Sequence, residues 1–161
     1  MRTPVLWLLG FLAVWCAAAQ GEDRAQLAYT AIEASHENRE RPHFDPELRD
    51  IRDAVSHLRY DTYRHLASGR TRTPYGEEAE LELTERHTLH VTPVSKERDG
   101  RIRAEIRVTK KLDERDGDGN RRVVNALRTT TRMAPGDPLC LGGFHLERGD
   151  LVIILVLGVK D

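Results

Sequence analysis

The chain has 161 residues, with 25 Lys+Arg against 26 Asp+Glu and 39% apolar residues. That length suits one domain with a core of its own. A net charge of −1 argues against a general nucleic-acid binder, which needs a basic face to displace counterions. Two cysteines, Cys16 and Cys140, are too few for a disulfide framework.

Met1-Arg2 supplies a positive end, Val5 to Trp15 an apolar stretch, and Ala17-Ala18-Ala19 the small residues a signal peptidase reads. Residues 1–19 read as a secretory signal peptide cut between Ala19 and Gln20. The alternative is a bacterial lipoprotein signal lipidated at Cys16, but Trp15 stands where a small residue is needed. Cleavage removes Arg2 and leaves 24 basic and 26 acidic residues, a net charge of −2. The expected location is periplasmic or extracellular. Cys140, between Leu139 and Leu141, then reads as a small buried hydrophobe, with pairing between chains as the alternative.

Residues 20–24 are polar and read as a flexible lead-in to a single domain over 25–161. Ala25 to Ser35 is ambiguous. Leu27, Tyr29 and Ala31 alternate as in a strand, whereas Leu27, Ala28, Ala31 and Ile32 fit a helix face. His36 to His43 is a charged loop. Asp45-Pro46 then reads as an N-cap and first residue of a helix. Leu48, Ile51, Val55, Leu58 and Thr62, with Ala54 and Leu66 beside them, predict an amphipathic helix over 46–66. Its charges, Arg49, Asp50, Arg52, Asp53, Arg59 and Asp61, read as a solvated face rather than a docking surface. Tyr60 and Tyr63 are placed at the core's edge with their hydroxyls outward.

Strand signals follow. Thr71-Arg72-Thr73 is short and β-prone, and Pro74-Tyr75-Gly76 is a turn. Ala79, Leu81 and Leu83 alternate with glutamates. Leu89 and Val91 face inward until Pro93 interrupts the strand. Ile102, Ala104, Ile106 and Val108 make the inner face of a long strand, and Val123 to Met133 makes another. Pro138 to Leu146 and Leu151 to Val159 read as a hairpin closed at Glu147 to Asp150, with Gly142-Gly143 as a bulge. The closing run is far short of the ~20 apolar residues a spanning helix needs. Its Val152, Ile153, Ile154 and Val156, without alternation, predict a strand buried on both faces. The fold class expected is α+β: a mostly antiparallel, sandwich-like sheet with one amphipathic helix.

Candidates for chemistry are few. The loop Glu114 to Asn120 has the acidic spacing of a calcium loop, which wants carboxylates at positions 1, 3 and 5, Gly at 6 and Glu at 12. Starting at Glu114 puts Asn125 last. Starting at Asp116 puts Arg121 in place of Gly and Leu127 last. Neither register completes the loop, so a hairpin turn is expected, with Asp116, Asp118 and Asn120 left as weak calcium candidates. His87 and His90 are three apart on a strand and point to opposite faces. His57 and His65, eight apart on the expected helix, cannot share one metal, and no histidine pair has zinc-ligand spacing. The chain lacks H-E-x-x-H, G-x-S-x-G, P-loop and G-x-G-x-x-G motifs.

Three segments together resemble a group of secreted bacterial proteins of unknown function. They are Ala31-Ile32-Glu33-Ala34-Ser35, the Tyr-x-x-Tyr-Arg of Tyr60, Tyr63 and Arg64, and the Gly136, Gly142, Gly143 turn before an apolar strand. The resemblance implies that Ala25 to Ser35 is a first strand. The Thr-rich strand, Gly turn and Gly-Gly strand also resemble part of an outer-membrane secretin; no pore is implied. The function expected is a non-catalytic binding or assembly module of the bacterial cell envelope with a protein partner there. The alternatives are a secreted enzyme using Cys140 or a histidine cluster assembled by the fold, and a calcium-stabilised extracellular module.

Overall fold

The structure is a computed structural model and describes residues 23–158. Residues 1–19, expected to be a signal peptide, and most of the expected lead-in lie outside the described residues, as does Val159. Two sheets face each other. The first has five strands in the order β2-β3-β1-β9-β8: β1 Arg24–Ser35, β2 His43–Phe44, β3 Thr62–Pro74, β8 Pro138–His145 and β9 Asp150–Leu157. The second has four in sequence order: β4 Ala79–Glu82, β5 His87–Lys96, β6 Ile102–Arg115 and β7 Arg121–Met133. All pairings are antiparallel except the short β2–β3 pair. The fold is the expected α+β sandwich.

Alternation builds the main core. Leu27 and Ala31 of β1, Leu89 and Val91 of β5, Ile102, Ala104, Ile106 and Val108 of β6, and Leu151, Ile153, Leu155 and Leu157 of β9 meet between the sheets. The other face of β9 packs Val152 and Ile154 into a second core with Ile32, Ala34, Leu48, Val55 and Tyr63. The closing strand is thus buried on both faces, as its unbroken apolar run predicts. The centre of its sheet is β1, however, and β9 lies one place from the edge. Gly142-Gly143 is the expected bulge: the β8–β9 register shifts between Leu141 and Phe144, and Gly143 has φ 93°.

The helix over 46–66 needs correction. A 3₁₀ helix covers Pro46–Ile51, α1 covers Arg52–Val55, and the chain enters β3 at Thr62. Thr62 and Leu66 therefore belong to a strand, and so does His65. Leu48, Ile51, Val55 and Leu58 still face the sheet, so the apolar stripe was right about burial and wrong about length. Strand pairing decides the matter. From Thr62 onward the backbone pairs with β1, Thr62 with Ser35 and Tyr63 with Ala34, in a ladder running to Pro74 opposite Arg24. That ladder overrides helix propensity. Asp45 does not cap as expected, since its carboxylate accepts the His65 N–H at 2.8 Å instead. Tyr63 is not at the edge: it is 2% exposed, stacked on Phe44, and donates its hydroxyl to the Leu58 carbonyl at 3.0 Å. Arg24, expected in the lead-in, opens β1.

Candidate functional site

The sandwich is open at one end, and the reason lies in the sheet register. Along the inner face of β5 and β6 the pairs are Val91–Ile106 and Leu89–Val108, both buried and apolar. The next inner pair is His87–Lys110. On the facing sheet, the position beyond Ala31 is Glu33, opposite Leu151. The inner rows of β1, β5 and β6 turn polar there, and a cleft of about 690 Å³ begins. Its walls include Glu33 and Leu66, the β4–β5 turn at Thr84, Glu85 and Arg86, and Leu146 to Arg148 of the β8–β9 turn.

His87 carries the chemistry of this cleft. It is 2% exposed, yet its Nε2 has no hydrogen-bond partner. Its Nδ1 lies 3.1 Å from Thr84 Oγ1. That hydroxyl oxygen already accepts two backbone N–H groups, from Arg86 at 3.2 Å and from His87 at 3.0 Å. A hydroxyl has two lone pairs and one proton, so the proton goes to His87 Nδ1. The neutral ring must then carry its own hydrogen on Nε2. Burial pushes the imidazole pKa down, and the Lys110 and Arg86 cations push it the same way. The ring is therefore a neutral, fixed N–H donor without an acceptor, and its Nε2 is covered by protein atoms.

Charges in the walls are partly committed. Arg86 pairs with Asp113 at 3.0 Å, and Glu33 faces Arg64 at 3.8 Å. Lys110 and Arg148 have no ion-pair partner among the described residues. Leu66, 37% exposed in the β3 bulge, and Leu146 add apolar wall.

Two other polar groups are internally satisfied. On the outer face of the four-stranded sheet, Arg107 Nη2 grips both oxygens of Glu78 at 3.0 and 2.9 Å. His90 joins Glu78 to Thr109 through contacts of 3.0 and 3.1 Å. Burial raises the Glu78 pKa, but the Arg107 and His90 hydrogen bonds and charges outweigh it and hold the carboxyl low. Beside the cleft, the Tyr60 hydroxyl donates to Asp150 at 2.6 Å, and His145 Nδ1 lies 2.5 Å from the other Asp150 oxygen. The Tyr60 pKa is pushed up to about 12, chiefly by that bond. The same bond leads the causes that hold the Asp150 carboxyl low.

The calcium candidates sit together in the turn between β6 and β7. Asp116 Oδ1 accepts the backbone N–H of Asp118 at 3.1 Å and of Asn120 at 2.8 Å. Arg115 donates to the Gly119 carbonyl at 2.8 Å. This is the expected hairpin turn, with the Asp116 carboxylate turned onto the backbone. Among the described residues no group of three or more His, Cys, Asp or Glu is arranged to hold a metal. Cys140 packs half-buried against the second core, and burial pushes its thiol pKa up. His87 faces the main core and His90 the opposite face of the other sheet, so neither accompanies Cys140. No helix among the described residues is long and apolar enough to cross a membrane.

His87 was the residue that motif reading missed. The signal was present as period 2: Val91, Leu89, His87 and Ile106, Val108, Lys110 each put a polar group next on a core-facing row. No protein-family model, curated protein or solved structure matches the chain.

Proposed function

We propose that the protein is an exported, non-catalytic binding module of the bacterial cell envelope, and that its binding site is the cleft at the His87 end of the sandwich. The N-terminal pattern of Met1 to Ala19 supports export. The cleft itself, where Lys110 and Arg148 without ion-pair partners among the described residues stand beside the apolar Leu66 and Leu146, carries the binding reading. The non-catalytic reading rests on the same geometry. Thr84 is the one hydroxyl among the lining residues, and both its lone pairs are held by backbone N–H groups. With both lone pairs held, the Thr84 oxygen has none free to attack a substrate.

The experiment is native mass spectrometry of the protein purified from its own envelope fraction. A non-covalent adduct is expected on the wild type and absent from a folded Leu66→Trp variant, whose indole fills the cleft mouth. An adduct of equal occupancy on Leu66→Trp, or none on the wild type, removes this reading.

A further inference from the structure

We infer that the free edge of β7, from Leu127 to Met133, takes up an extended acidic segment of another protein as an added strand. This surface shares no residue with the cleft and does not depend on the cleft being a binding site.

Each sheet has two edges, and an edge strand offers alternate N–H and C=O groups to any strand that comes alongside. Three of the four edges are blunted. β2 has two residues. β4 has four, and its Glu82 carbonyl accepts from the Tyr29 hydroxyl at 3.4 Å. β8 opens on Pro138 and breaks at the Gly142-Gly143 bulge. β7 differs. Its pairing with β6 is unbroken from Leu127, opposite Val108, to Met133, opposite Ile102, and it holds neither Pro nor Gly. Among the described residues no hydrogen bond joins the backbone of 127–133 to anything but β6.

Charge selects the occupant. Arg128 and Arg132 stand directly opposite Arg107 and Arg103 in the ladder, and like charges so placed destabilise a strand pair. Glu78 grips Arg107, and Glu97 lies 2.8 Å from Arg132. Arg128 has no ion-pair partner among the described residues. β7 has no acidic residue, and Glu105, the one acid of β6 along this stretch, faces Thr130 one strand further in. An acidic strand beside β7 gives both arginines an opposite charge as cross-strand neighbour. On the inner side Leu127, Thr129 and Thr131 are half-buried and Met133 is buried, which suits apolar β-branched side chains on the added strand. The matching segment therefore alternates acidic with apolar residues, and its main chain supplies the hydrogen bonds. A second copy is a worse match. Antiparallel pairing of 127–133 with itself sets Arg128 against Arg132 at both ends, and the acidic β4 of a copy is too short to fill the edge.

The probe is a short peptide alternating Glu with Val, compared with its Gln-for-Glu analogue, each titrated into ¹⁵N-labelled protein. The acidic peptide should bind saturably and slow hydrogen exchange at alternate amides between Leu127 and Met133, those on the free edge. The Gln analogue should bind about tenfold more weakly, the effect of losing charge-assisted contacts. Arg128→Gln, at an exposed position, should weaken the acidic peptide by about the same factor and leave the Gln analogue unchanged. Leu66→Trp should alter neither. Equal binding of the two peptides to the wild type overturns the acidic assignment. Protection on β4 or β8 instead, or no saturable binding by either peptide, overturns the edge assignment. Protection of 127–133 that grows with protein concentration in the absence of peptide, with a dimer in sedimentation, gives the edge to a second copy and overturns the partner inferred here. None of these outcomes touches the Leu66-sensitive envelope adduct, so the two readings fail separately.

Discussion

At the scale of single residues, hydrogen-bond valence decides what each polar group can do. Asp150 accepts from Tyr60 and meets His145, tying the exit of the helical stretch to the β8–β9 turn. The Asp150 carboxyl has a lowered folded pKa, so its contribution is present above the unfolded aspartate value of about 3.9 and is lost as pH falls through the lower folded value. Tyr60 runs the other way. Its folded pKa is raised to about 12, so its contribution is whole below the unfolded value of about 10 and is lost as pH rises through 12. Tyr60→Phe should therefore cost about 1.5 kcal/mol at neutral pH. Urea midpoints across pH should show that cost vanishing at the acid end, where Asp150 protonates. An equal cost at every pH would mean packing, not the hydrogen bond, holds Tyr60. Close backbone approach is the other residue-scale constraint. A Cβ on Gly149 would collide with the Ala34 carbonyl and come within 2.9 Å of the Ser35 Cβ. Gly149→Ala should destabilise by about 1–3 kcal/mol, the usual range for overpacking a site with no room to relax, measured by chemical denaturation. Asp61 is a third instance: read from sequence as a solvated charge, it accepts N–H groups from Glu37 and Arg39 at 2.7 and 3.2 Å and so organises the loop before β2.

At the scale of elements, strands with one wet face, or with an unbroken apolar run as in β9, were legible, and mixed segments whose state depends on a distant strand partner were not. The alternation of Ile102, Ala104, Ile106 and Val108 with charged residues gave both the strand and its inner face. The stripe Leu48, Ile51, Val55 and Leu58 found a real apolar surface, because helical spacing and burial go together. Its extension to Thr62 and Leu66 failed because periodicity cannot register that Thr62 has a strand partner in Ser35, 27 positions earlier in the chain. Ala25 to Ser35 fitted both templates for a related reason: β1 is buried on both faces at Ile32 and Ala31, so its polar positions do not mark an exposed side. Truncation of Leu48 tests the helical layer. Leu48 is fully buried in the second core, and Leu48→Ala should cost about 2–5 kcal/mol in denaturant. Because the layer packs on the second core and none of its residues lines the cleft, the envelope adduct should survive in the folded fraction.

At the scale of the whole molecule, β9 joins what the chain builds separately. It pairs with β1 on one side and β8 on the other, and its two faces enter both cores. Truncation after Gly149 should abolish folding, seen as a collapsed amide spectrum, whereas removal of the first 22 residues should leave the spectrum dispersed. A dispersed spectrum from the truncated chain would overturn this architecture. The same assembly opens the cleft, since the inner rows turn polar at one end, at His87 and Lys110 on one side and Glu33 on the other.

By itself the sequence determined the strand periods, the turn glycines, the apolar stripe of the helical stretch and the two-faced burial of the closing strand. Each is a property of neighbouring residues, and side-chain alternation is local physics. Only the tertiary structure decided where the helix stops, that β1 is the centre of its sheet, and that His87 is a donor without an acceptor. Those depend on which distant groups supply or withhold a hydrogen bond, and no local pattern records a partner far along the chain.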